Sequence, residues 1–171
     1  MAVFRAFKAL RPTEEKAAAV AALPYDVVNR EEAAAIGKEN PDSFLHVDRA
    51  EMDLPAETDL YDGKVYQKAM ENLSKMEENG ILVQDNKPCY YIYELVRKGR
   101  VQTGIAGCAS IDDYLDSVVK KHELTRSDKE LDRIHHVDVC DANTGPIYLA
   151  CRYTDSLTAS LDSGKGTQGS L

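Results

Sequence analysis

Apolar residues recur at helical spacing in two places along the 171-residue chain. Val65, Ala69, Leu73 and Met76, with Tyr66 and Met70 beside them, predict a helix that opens near Thr58 and ends before Gly80. Ile111, Tyr114, Leu115, Val118, Val119 and His122 follow the i, i+3, i+4, i+7, i+8, i+11 pattern and predict another, capped by Ser110. Three shorter helices are expected. One lies in the Ala-rich run RPTEEKAAAVAAL and is interrupted by Pro24. The next opens on the capping pair Asn29 and Glu32 and ends near Gly37, and the last opens on Ser127 and Glu130 and runs through His135.

Alternation with period two marks the strands. SFLHVD places Leu45 and Val47 on one face and Phe44, His46 and Asp48 on the other. CYYIYELV and VQTGIAGCAS flank RKGR, which predicts a hairpin turning at Gly99. Gly104 and Gly107 in the return strand suggest a bulge or a close backbone approach. IYLACRYT predicts a further strand. From Ser156 onward the chain is small and polar without a packing pattern, so residues 156–171 are expected to be a disordered tail. The expectation is one α+β domain over residues 1–155, a mixed sheet with a hairpin and packed helices.

Charge narrows the function. The formal net charge is -8, with 43% hydrophobic and 29% charged residues, which describes a soluble globular protein. Nucleic-acid binding and binding to an acidic membrane surface both call for a basic patch, and neither is expected. No apolar run approaches a membrane span, and the N-terminal run lacks a signal-peptide pattern, so a cytoplasmic protein is expected. Cysteines 89, 108, 140 and 151 have no C-x-x-C spacing and read as small buried hydrophobes. His46, His122, His135 and His136 show no metal-ligand pattern, so no metal site is predicted.

The candidate chemistry sits in VVKKHELTRSDKELDRIHH. Lys129, Arg133 and His136 share a helix face by their i, i+4, i+7 spacing. Thr125 and Ser127 supply hydroxyls at that helix's N-terminus, where free N–H groups favour phosphate or carboxylate. Glu123 beside His122 can take a proton from a substrate hydroxyl. The plainer alternative is a solvated charged helix in which Lys129 and Arg133 pair with Asp128, Glu130 and Asp132, and in which His122 is a core residue. Spacing alone leaves both open.

In combination, LPYDVVNREEA, NPDSFLHVDRAEMDLP, GILVQDNKPCYYIYEL, GIAG, DYLDSVVKKHELTRSDKELDR and TGPIYL resemble the N-terminal part of the family called domain of unknown function 1015, over residues 1 to about 155. That family's later half carries a DGHHRY-like motif, similar to the phosphate-handling loop of the ParB/sulfiredoxin superfamily, which includes an ADP-dependent serine kinase. The present sequence has no DGHHR, so the expectation is an incomplete N-terminal part of a larger α/β protein.

The resemblance implies part of a small-molecule phosphotransfer enzyme, with ADP or ATP and Mg as cofactor and a small anionic ligand. The alternatives are a non-catalytic nucleotide- or phosphometabolite-binding regulatory module and a fragment inactive alone. In the phosphotransfer reading Glu123 and His122 are the catalytic candidates. Thr125, Lys129, Asp132, Arg133, His46 and Arg49 are the substrate- or phosphate-binding candidates, with Tyr25 and Asp26 further out. A homo-oligomer is also expected.

Overall fold

The computed structural model describes residues 2–121, 126–152 and 154–165. It is an α+β protein with small two-stranded sheets, and the backbone gathers into two compact units. The first unit holds β1 (Phe4–Arg5), β4 (Tyr91–Arg97), β5 (Arg100–Ala106), β6 (Cys108–Ala109), α5 (Ile111–Leu115) and α7 (Asp155–Lys165). The second holds α1 (Ala17–Val20), α2 (Arg30–Glu39), α3 (Leu45–Asp48), a 3-10 turn (Ala50–Asp53), α4 (Gly63–Glu78) and α6 (Ser127–Cys140). β2 (Leu10–Pro12) pairs with β3 (Leu82–Gln84), and most of their residues belong to the second unit.

In the first unit the predicted hairpin forms, with an antiparallel register from Tyr91↔Ala106 to Arg97↔Arg100. Its two turn residues, Lys98 and Gly99, both have positive φ, +49° and +75°. That is the turn whose twist matches the flanking strands, and glycine relieves the strain at one of the two positions. β1 pairs antiparallel with β6, Phe4 opposite Ala109. Gly107 explains how closely they approach: a Cβ there would come within 2.6 Å of the Phe4 ring. The Tyr91 hydroxyl donates to Asp85 Oδ2 at 2.7 Å and accepts from the Ala9 N–H at 2.9 Å.

The second unit carries the apolar core. Asn29 and Glu32 form the expected reciprocal cap on α2. Val28, Ala33 and Leu45 pack together with Ile36 and Met52 beside them. α4 turns Val65, Tyr66, Ala69, Leu73 and Met76 inward, as its spacing predicted, though it starts at Gly63 under an Asp62 cap rather than at Thr58. Burial of each large apolar side chain contributes about 1.5–3 kcal/mol.

Arg30 organises the adjoining loop. Its guanidinium donates to the carbonyls of Glu51 (2.7 Å), Pro55 (2.8 Å), Ala56 (3.0 Å), Thr58 (3.0 Å) and Leu54 (3.2 Å). Glu51 and Pro55 also accept from the N–H groups of Leu54 and Thr58, so one rigid planar fork ties together a stretch of turns and irregular backbone.

Several local expectations fail. SFLHVD is not a strand: Leu45–Asp48 form α3, and both Leu45 and Val47 are fully buried by a single turn. The Ala-rich helix shortens to Ala17–Val20. α5 stops at Leu115, and Ile111, Tyr114, Leu115 and Val118 of its apolar stripe are exposed. α6 continues to Cys140, and Arg126 precedes it without any side-chain cap from Ser127. Ile147–Arg152 form no strand, whereas Asp155–Lys165, expected to lack structure, form α7. Cys89, Cys108 and Cys151 are exposed, and among the four cysteines Cys140 is buried.

Replacing Arg30 by lysine should cost about 2 kcal/mol in urea unfolding, because an ammonium cannot span the five carbonyls. A loss below about 0.5 kcal/mol would show that the loop holds without the fork.

Candidate functional site

α6 is amphipathic in an unusual way. Its inner face carries Asp132, His136 and Cys140, and Leu131, Ile134 and Val137 remain exposed. α4 packs against the inner face and supplies the Tyr66 hydroxyl, which donates to Asp132 Oδ1 at 3.0 Å. Burial and then the neighbouring Asp132 push the Tyr66 hydroxyl up to about 12. Asp132 Oδ2 accepts from Arg133 Nη2 at 3.0 Å and Nε at 3.2 Å. The Arg133 guanidinium lies 4.5 Å from the centroid of the Tyr25 ring. Arginine is thus held from two sides, by a carboxylate and by an aromatic face.

Beside this pair is an open depression of about 520 Å³. Tyr25, Lys129, Glu130, Arg133, Ile134, Val137 and Asp138 line it. Lys129 Nζ is 3.3 Å from the Tyr61 hydroxyl and 5.8 Å from that ring's centroid. Two cations one helical turn apart therefore border the same hollow, as their spacing suggested.

The remaining predicted residues lie elsewhere. His136 does not share the outer face: it is buried, with Nε2 donating to the Val47 carbonyl at 3.2 Å. Asp132 is turned inward to Tyr66 and does not line the hollow. His46 and Arg49 have structural partners. Arg49 Nε is 2.9 Å from Glu51 Oε1, an ion pair whose N–H is poorly aligned on the oxygen. His122, Glu123 and Thr125 lie outside the described residues. Sequence reasoning missed Ile134, Val137 and Asp138. Their signal was present, since Glu130, Ile134 and Val137 also fall at i, i+4, i+7.

His46 is a structural cation. Its Nδ1 lies 2.9 Å from Asp53 Oδ2, and its Nε2 lies 3.3 Å from the Gly37 carbonyl oxygen. Both partners accept, so both ring nitrogens must donate, which requires the imidazolium. The Asp53 hydrogen bond raises His46 above 6.5 against the opposing effect of burial. Burial also works against the Asp53 charge, but the His46 hydrogen bond and charge, with Asn72 and Lys68, hold Asp53 below 3.8. Burial pushes the Asp48 carboxyl and the Cys140 thiol up, which makes the thiol a poorer nucleophile.

The site is thus a surface hollow on a helix, edged by cations and floored by apolar side chains, in an α+β protein. A family model described as "Protein of unknown function (DUF1015)" matches residues 4–169, and the chain belongs to that family. Comparison with curated proteins and with solved structures returned no match. Among the described residues no helix is long and apolar enough to cross a membrane.

The His46–Asp53 pair sets a pH window. A raised histidine stabilises fully below about 6.5 and loses its effect as pH rises through its folded value; a lowered aspartate stabilises fully above 3.8 and loses its effect as pH falls through its own. His46→Gln should therefore cost about 1–2 kcal/mol near pH 5–6. The gap between the unfolding free energies of wild type and variant should narrow above pH 6.5 and below pH 3.8. A gap independent of pH would show that folding does not change how tightly His46 holds its proton.

Proposed function

We propose that the chain binds a small anionic ligand in the α6 hollow and that this ligand is the small substrate of a phosphotransfer reaction. The observation that carries the binding reading is the placement of Lys129 and Arg133 on one hollow with Tyr25 behind the guanidinium. Arg133 is pre-oriented by Asp132 and Tyr25, so little side-chain freedom is lost when it meets an anion. Lys129 is exposed and carries a mobile charge that can follow the ligand.

The phosphotransfer part rests on the resemblance and on the chemistry of residues 122–125. Glu123, with His122 beside it, is the proposed base toward a substrate hydroxyl, and Thr125 a phosphate partner. ADP or ATP with Mg does not suit the hollow itself. Glu130 and Asp138 on its lining would repel a polyphosphate, and among the described residues no three acidic, histidine or cysteine side chains group to hold a metal ion. The hollow is assigned to the small substrate alone.

Isothermal titration with phosphoserine, serine, ADP and ATP tests this. At least one of the first two should bind, and Lys129→Gln should weaken it about tenfold, the loss of one charge-assisted hydrogen bond. No heat with either phosphoserine or serine would overturn the reading. Where turnover is measurable, Glu123→Ala should abolish it and leave binding intact.

A further inference from the structure

The charges around the hollow say what kind of molecule fits. With about 100° and 1.5 Å per residue, Lys129 and Arg133 lie within about 40° of each other on α6. Asp138 lies about 180° around the helix from Lys129 and about 13.5 Å further along it. Val137 and Ile134 fall between them and line the floor, with Glu130 interrupting the strip close to Lys129. The hollow therefore has a cationic edge, a mainly apolar strip, and the Asp138 carboxylate at its far edge.

The two edges also differ in how far their charges are already satisfied. Arg133 has Asp132 and Tyr25, and Lys129 has Tyr61. Among the described residues, neither the Glu130 nor the Asp138 carboxylate has an ion-pair or side-chain hydrogen-bond partner. A ligand that was only an anion would satisfy the cationic edge and be repelled by the other. A ligand that was only apolar would leave both edges unused.

We infer that the ligand is dipolar: an anionic group at one end, an apolar body of several carbons, and a protonated amine at the other. The anion meets Lys129 and Arg133, the body covers Ile134 and Val137, and the amine meets Asp138. This deepens the anion-binding reading above and rests on it. An α-amino acid, with both charges on one carbon, reaches the cationic edge without reaching Asp138. A molecule with its amine remote from its acid reaches both.

Octanoate and 8-aminooctanoate separate the possibilities, with inorganic phosphate as a third probe. Adding the amine makes the chain more polar, so a general affinity for apolar surface would weaken the longer probe. The expected result is the opposite: 8-aminooctanoate binds about three- to fivefold tighter than octanoate, the size of one exposed ion pair. Asp138→Asn should remove that advantage and leave octanoate binding unchanged. Asp138 is exposed and makes no side-chain bond within the described residues, so the variant should melt with the wild type.

Equal binding of the two probes overturns the dipolar ligand and leaves the anion reading standing. So does an advantage that survives in Asp138→Asn. If octanoate, 8-aminooctanoate and phosphate all fail to bind, the anion reading falls and this inference falls with it.

Discussion

The apolar face of α4 decides the rest of the second unit. Val65, Tyr66, Ala69, Leu73 and Met76 are buried together, so the helix has one rotation about its axis that hides them all. That rotation fixes where the Tyr66 hydroxyl points. The hydroxyl is too deep to be left without a partner, and it finds Asp132. Asp132 in turn fixes the rotation of α6 and holds Arg133 on the rim. A hydrophobic constraint is thus converted, through one buried hydroxyl and one carboxylate, into the position of a cation.

Several polar groups under this surface are committed to structure. Burial raises the Cys140 thiol, and His136 spends its Nε2 hydrogen on the Val47 carbonyl. His46 is committed to Asp53 and Gly37. The groups that sequence alone would nominate for chemistry are in several cases the ones doing structural work, because a buried polar side chain must be paired before it can be anything else. What remains for the proposed ligand is the outer half of α6.

The sequence was informative wherever a pattern was local and long. α4, the Asn29–Glu32 cap and the Lys98–Gly99 turn were legible because each depends on residues within one or two turns of each other. Leu45–Asp48 was misread because four residues of alternating polarity are equally a short strand or a single buried turn, and only tertiary burial decides. The α5 stripe was legible as amphipathic, but amphipathicity does not say what covers it, and it lies exposed here. At the site, Lys129 and Arg133 were legible from spacing. His136 was not separable from them, since the i, i+7 relation that joins it to Lys129 also lets it roll onto the buried side.

The apolar residues that stay on the surface follow from how the chain distributes its burial. In the second unit the inner faces of α2, α3 and α4 absorb the strong hydrophobes, and Ile134 and Val137 are left on the far side of α6. An exposed isoleucine alone would need no explanation. Here it stands next to a fixed arginine, a lysine and two carboxylates that have no ion-pair partner among the described residues. A purely apolar ligand would leave four charged groups uncovered, and a purely ionic one would leave the strip wet. The composition of this one helix face therefore suits the molecule of mixed character proposed above.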